Sequence, residues 1–290
     1  MNRLPDLSEF ARLVPVPADD AHKYSRGKAV VVAGSAPYPG AAMMCSVSSQ
    51  LAGAGYTQVF TSRRNVKLVQ QFRPSLVVSS FSELDPATAI AAQYPGAFVA
   101  GSGFDAADAE AEAALRRILK RGIAPVLVDG GALSFVSAPK MRKLLLKRQK
   151  QGLATVLTPH WGEAQRLAAP YAIDLAQLSQ VEAARSLSLN YGSIVVLKGQ
   201  DTAVVSADQT AVVDFGTAAL AKAGTGDVLA GLIGGFLAQG VAPFDAAHLG
   251  VAVHAVAGIV ASERKGIVSV CAEDVLAAIP EAIVRIQAAR

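Results

Sequence analysis

Cysteine is nearly absent from this chain. Cys45 and Cys271 are the only two, so neither a disulfide framework nor a Cys-x-x-Cys zinc site can be built. Reduced thiols in a cytosolic setting are the expectation. Aromatic residues are scarce too, at 6% with a single tryptophan, so small aliphatic side chains must fill the core. Charge is low at 17% against 52% apolar residues, which excludes a disordered chain. The net charge of +4 over 290 residues suits an anionic ligand and is too slight to imply nucleic acid. Residues 1–20 hold four acids and three prolines, without a basic segment leading into an apolar one, so no secretory signal is expected. The most apolar stretch, Val228 to Ala261, is broken by Gln239, Asp245, His248 and His254 and reads as buried helices rather than a membrane span. No GxxxxGK[ST] loop occurs, and no GxGxxG follows the first strand.

What is present is a long alternation of short apolar runs and helical segments. Strands are expected at 29–33, 56–61, 97–100, 125–128, 154–157 and 193–197. Helices are expected at 41–52, 106–121, 140–151, 161–168, 175–190, 228–238 and 246–262. Segments 202–206 and 211–215 form a late hairpin. Such a pattern predicts an α/β fold, with a mostly parallel central sheet, helices on both faces and an antiparallel end. One domain spanning 1–290 is expected, with 1–20 as an N-terminal extension. In a parallel sheet the chemistry lies beyond the carboxyl ends of the strands. The run Lys140, Arg142, Lys143, Lys147, Arg148, Lys150 reads as a solvated helix face, because no aromatics interleave with it.

Three stretches carry chemistry. Ala223-Gly224-Thr225-Gly226-Asp227 enters an apolar helix. Two glycines permit a tight turn whose N–H groups face outward as an anion hole. An aspartate beside a phosphate site is repelled by it unless it acts as a general base, which points to Asp227. Lys198-Gly199-Gln200-Asp201-Thr202 follows a strand and can meet phosphate or ribose. Thr158-Pro159-His160 also follows a strand; Thr158 is expected to cap the next helix with Pro159 at its first position, leaving His160 at the mouth of the site. Trp161 offers either a stacking wall or simple packing. Asp129 and Asp105 are further strand-end acids. His248 and His254, six apart on one helix, do not share a face and make a poor metal pair.

Taken together, the order and spacing of these pieces resemble the ADP-dependent NAD(P)H-hydrate dehydratase family, ribokinase-like in fold. Val31-Val32-Ala33-Gly34-Ser35 with Tyr38-Pro39-Gly40-Ala41-Ala42, Gly53-Ala54-Gly55, Val128-Asp129 with Ala132-Leu133, Thr158-Pro159-His160 with Gly162-Glu163, Lys198-Gly199 with Thr202, and Ala223 to Gly231 all match. The resemblance implies repair of the S-epimer of hydrated NADH or NADPH (NADHX, NADPHX) at the expense of ADP, releasing AMP and phosphate. By the same analogy Ala41, Gly103, His160 and Asp227 contact the hydrated dinucleotide, and Asp227 is catalytic. Lys198, Gly199, Gln200, Asp201, Thr202 and Gly226 contact the adenylate, with Gly224 and Thr225 completing the turn around its phosphates. Magnesium and a homo-oligomer, such as a tetramer, are implied, and neither a membrane nor nucleic acid. Small-molecule kinases of the hydroxymethylpyrimidine or thiazole type would share Asp227 and the anion hole. Three positions depart from the family pattern. Gly101-Ser102-Gly103-Phe104-Asp105 stands for Gly-Pro-Gly-Leu-Gly, Asp129-Gly130-Gly131 lacks a second acid, and Lys222 replaces a small residue, adding a phosphate contact or facing solvent.

Overall fold

Valine-rich runs without alternation can be satisfied only when both faces of a sheet are covered. The computed structural model, which describes residues 5–290, shows that arrangement. The strands are β1 Lys28–Val32, β2 Tyr56–Thr61, β3 Val77–Ser80, β4 Gly96–Ala100, β5 Val126–Val128, β6 Thr155–Leu157, β7 Ile194–Leu197, β8 Thr202–Val205 and β9 Thr210–Val213. They form one sheet in the order β3-β2-β1-β4-β5-β6-β7-β8-β9. Pairing is parallel from β3 to β7 and antiparallel across β7-β8-β9, as the sequence pattern predicts.

The helices are α1 Ser8–Leu13, α2 Pro39–Leu51, α3 Val66–Phe72, α4 Ala109–Arg121, α5 Gly131–Val136, α6 Pro139–Lys150, α7 Trp161–Ala168, α8 Gln180–Tyr191, α9 Thr225–Ala238, α10 Pro243–Lys265 and α11 Ala272–Gln287. One core joins the sheet to α1, α2, α9, α10 and α11. A second core, on the other face, joins it to α4 through α8. Helix α10 is long and apolar enough to cross a membrane, yet 83% of its most apolar window is buried inside the fold.

Several expectations need correction. The helix expected from residue 175 starts at Gln180, because Ser179 caps it and Glu182 closes the box from the other side. Arg148, read as part of a solvated face, is buried. Its guanidinium donates to the carbonyls of Gly122 and Ala124, each at 2.6 Å, at the carboxyl end of α4. Residues 8–13, placed in an extension, form a helix whose Phe10 lies in the core, edge-on to His248. Arg290 fastens that helix by donating to the carbonyls of Ala11 and Val14. Helices α3, α5 and α11 and strand β3 were not expected at all.

The strand order reverses direction at β1 and β4. The loops that leave their carboxyl ends therefore part at a crevice. Two backbone bonds cross it, from Gly34 N–H to the Ser102 carbonyl and from Ser35 N–H to the Gly103 carbonyl, each 2.9 Å.

Candidate active site

Residues that follow β4, β5, β6 and β7 converge on one buried carboxylate. Asp129, 3% exposed at the end of β5, accepts from Thr158 Oγ1 at 2.6 Å, Ser102 Oγ at 3.1 Å and Lys198 Nζ at 3.2 Å. Glu163 Oε2 lies 3.8 Å from the same ammonium. Burial works to lower the Lys198 pKa, but Asp129 and Glu163 outweigh it and hold the group above its ordinary value. Lys198 is thereby fixed as a cation at the strand ends, between acids and the turn that starts α9.

The Thr158 hydroxyl donates to Asp129, and it does not cap α7 because that helix starts three residues later, at Trp161. His160 caps it instead: its Nδ1 accepts from Gly162 N–H at 3.1 Å and Glu163 N–H at 3.4 Å, while Glu163 accepts from His160 N–H at 2.8 Å. Pro159 consequently lies outside the helix. The Thr-Pro-His-x-Gly-Glu stretch is thus a capping box that also aims Glu163 at Lys198. Trp161 is partly exposed at the first position of α7 and lines neither cavity described below.

Helix α9 begins at Thr225, with Gly224 before it at φ +90°, a backbone angle that disfavours any residue with a Cβ. The Thr225 hydroxyl donates to the carbonyls of Leu220 and Lys222, so it pins the turn and leaves only its backbone for a ligand. Behind this turn α9 packs against α2 so closely that a Cβ on Gly231 would stand 2.2 Å from the Cys45 carbonyl oxygen. Ser48 Oγ reaches across to the Val228 carbonyl at 2.6 Å. The N-terminal end of α9 is therefore held rigidly over the sheet.

Asp227 is the third residue of α9. Burial, and secondly the Asp129 carboxylate, push its pKa up to about 7, against the opposing pull of Ser102 and Lys198. A carboxyl that exchanges its proton near neutrality suits a general base.

Two cavities meet at this turn. The larger, about 730 Å³, is lined by His160, Lys198, Gly199, Gln200, Thr202, Thr225 and Gly226, with Phe215, Leu220, Leu229, Val251 and His254 beyond them. The smaller, about 530 Å³, is lined by Ala41, Gly224 and Asp227 with Met44, Lys222 and Cys271. Gly103 lies against Ala41. Of the expected dinucleotide contacts, Ala41 and Asp227 thus share a cavity with Gly103 beside it, whereas His160 lines the other. Asp201 is exposed in the β7–β8 turn and lines neither. Asp105 uses its backbone N–H to bind Ser35 Oγ. Lys222, exposed, donates to the Val268 carbonyl at 2.8 Å and so fastens the loop before α11 to the rim. No sequence pattern marks Phe215, Leu220, Val251 or His254 as lining residues; only the packing of α10 under the hairpin brings them in.

No group of three His, Cys, Asp or Glu side chains that could hold a metal occurs among the described residues. Magnesium rarely needs such a cage: one or two carboxylates and the phosphates of its nucleotide are enough. Asp129 and Glu163 stand beside Lys198, but neither lines a cavity and both already accept protein donors, so they do not fit that requirement.

A family profile described as NAD(P)H-hydrate dehydratase matches residues 29–281. The ADP-dependent (S)-NAD(P)H-hydrate dehydratase of Xanthomonas campestris is 32% identical over 284 residues, 93% of this chain and 92% of that protein. The chain spans half or less of the bifunctional NAD(P)H-hydrate repair enzymes that it also matches, 37% of the one from Mycobacterium leprae at 34% identity over 68% of this chain. Among solved structures, the ADP/ATP-dependent NAD(P)H-hydrate dehydratase of Bacillus subtilis, co-crystallised with ATP and Mg2+, superposes with a TM-score of 0.82 at 25% identity, covering 97% of each chain. A ribokinase-like superfamily protein of Enterococcus faecalis gives 0.79 at 25% identity, over 97% of this chain and 95% of that one.

Proposed function

The chain belongs to the NAD(P)H-hydrate dehydratase family, and from that premise we propose that it dehydrates the S-epimer of NADHX and NADPHX to NADH and NADPH, converting ADP to AMP and phosphate. The observation that carries this reading is the place of Asp227. It is a near-neutral carboxyl on the first turn of α9, at the seam between the two cavities.

The larger cavity takes ADP. Its phosphates lie toward Lys198 and the Gly224 to Gly226 turn, and its base lies among Phe215, Leu220 and Val251. The smaller cavity takes the hydrated nicotinamide, beside Ala41 and Gly103. Asp227 removes the proton from the C6 hydroxyl as that oxygen attacks the terminal phosphoryl group. The P–O bond to the AMP portion breaks, and Lys198 and the N–H groups of α9 stabilise the charge in transfer. The lone pair on the ring nitrogen then expels phosphate from C6, and C5 loses a proton to restore the dihydronicotinamide. Magnesium bound to the nucleotide would screen the phosphate charge. His160, at the mouth of the larger cavity, reaches the dinucleotide where the two cavities open together. A cytosolic location, a homo-oligomer and one functional domain are part of the same proposal.

The test is incubation with NADHX and ADP, following the return of reduced-nicotinamide absorbance. Return of absorbance with ADP, and its loss in Asp227→Asn, is the expected result. Phosphorylation of a pyrimidine or thiazole alcohol without any action on NADHX would make the protein a kinase instead.

A further inference from the structure

Of the polar side chains that line the larger cavity and that neither the reaction above nor the α9 turn uses, His254 alone is buried. His254 is 8% exposed and lines the cavity from α10, where Val251 and Ala255 occupy the same face. Its Nε2 is buried without a hydrogen-bond partner. Burying a polar nitrogen in that state is costly, and most such groups are satisfied by protein or by a ligand. His248, two turns earlier on the same helix, shows the alternative. It packs edge-on against Phe10 with ring centres 4.7 Å apart and lines no cavity described here. If packing were the only requirement at position 254, an apolar ring would meet it without an orphaned atom.

We infer that His254 is a nucleotide-binding residue, whose imidazole hydrogen-bonds an oxygen of the ribose–phosphate segment of the nucleotide in the larger cavity. The inference rests on the assignment of that cavity to ADP. Two observations place the contact at this segment. Lys198 and Thr225, which mark the phosphate end, both act on the His254 ring. Val251, Leu229 and Ala255 form an apolar floor beside it, suited to a base. The imidazole therefore stands where sugar and phosphate join the base. Burial, opposed by the Thr225 backbone and aided by Lys198, brings its pKa down to about 4. At neutral pH the ring is uncharged and offers one N–H and one lone pair. It can thus serve a ribose–phosphate oxygen without adding a charge to the Lys198 cluster.

Titration calorimetry with ADP on the wild type, His254→Phe and His254→Gln tests this. The phenylalanine variant keeps the ring volume and removes both nitrogens. Its ADP affinity is expected to fall about tenfold to a hundredfold, while the nucleotide-free protein keeps or raises its melting temperature. Glutamine, which can donate and accept, is expected to recover part of the affinity. Unchanged ADP affinity in a folded His254→Phe protein overturns the inference. A wild type that fails to bind ADP overturns the nucleotide reading itself, which is a separate result. In a further arm, with only four histidines in the chain, the 15N imidazole signals of the wild type are followed directly. ADP is expected to shift the His254 signal, assigned by its absence from the spectrum of His254→Gln. No ADP-dependent change at that signal overturns the inference.

Discussion

Asp227 sets chemistry against stability within one side chain. Its folded-state pKa, about 7, lies above the ordinary carboxylate range, chiefly through burial. The folded protein therefore holds this proton more tightly than the unfolded chain does. The stabilisation is complete in acid and is lost as pH rises through about 7. Catalysis runs the other way, because the base acts only when deprotonated. We expect kcat/KM to fall as pH drops below about 7. Asp227→Asn should lose about 10²–10⁴-fold in turnover, while its melting temperature exceeds that of the wild type at pH 8 and approaches it at pH 5. Near-normal turnover in this variant would remove Asp227 from the mechanism. His160 needs a different pair of variants, because its Nδ1 caps α7. His160→Ala removes both the cap and any ligand contact, and loss of a cap costs about 1 kcal/mol. His160→Asn retains a capping oxygen. It is expected to keep the melting temperature while raising KM for NADHX, whereas an unchanged KM would leave His160 a helix cap alone.

At the scale of elements, two of the departures from the family pattern are a single packing solution. The loop after β4 lies on the loop after β5: a Cβ on Gly131 would stand 2.1 Å from the Phe104 carbonyl oxygen. An acid cannot occupy position 131 while the 101–105 loop keeps this path. Gly131→Asp alone should destabilise the protein by about 2 kcal/mol or more, through overpacking. Combined with S102P, F104L and D105G, it should recover part of that loss, giving a coupling of about 0.5–3 kcal/mol. Urea unfolding of the four proteins in that cycle measures it. Strict additivity would show that the two loops depart independently.

For the whole molecule, the buried histidines of α10 are expected to add to its acid sensitivity. Burial lowers both His248 and His254, the latter to about 4. Glu9 and Asp245 oppose the shift at His248, and the Thr225 backbone opposes it at His254. A depressed folded-state pKa gives stability that is present above the unfolded value near 6.5 and lost as pH falls toward 4. At about 1.4 kcal/mol per pH unit, His254 alone accounts for a loss of about 3 kcal/mol across that window. His254→Phe should flatten the acid side of the stability curve, as read from unfolding midpoints at pH 7, 6, 5 and 4.5. A curve that still falls as steeply as the wild type would place the acid sensitivity elsewhere.

Periodicity and local chemistry were enough to determine the alternation of strands and helices, the antiparallel hairpin and the strand-end position of the functional motifs. Unbroken apolar runs demand burial on both faces, and a glycine turn entering a helix exposes N–H groups whatever lies around it. The strand-end place of Lys198 and the helix-start place of the Gly224 to Asp227 turn were legible for that reason. Contacts between distant segments were not. The Thr158 hydroxyl could accept from a helix start or donate to a carboxylate, and only the approach of β5 to β6 gives it Asp129 and leaves the cap of α7 to His160. Arg148 resembles its lysine neighbours in sequence, and only the carbonyls left open at the end of α4 draw it inside. Helix α1 and Phe10 join the core through contacts with α10 and α11, more than two hundred residues away. His254 was visible only as one half of an unpromising metal pair, because its orphaned nitrogen and its cavity exist only once α10 packs beneath the hairpin and beside α9. Local pattern fixes which groups the backbone must satisfy, and tertiary packing chooses which side chain satisfies each and which is left for a ligand.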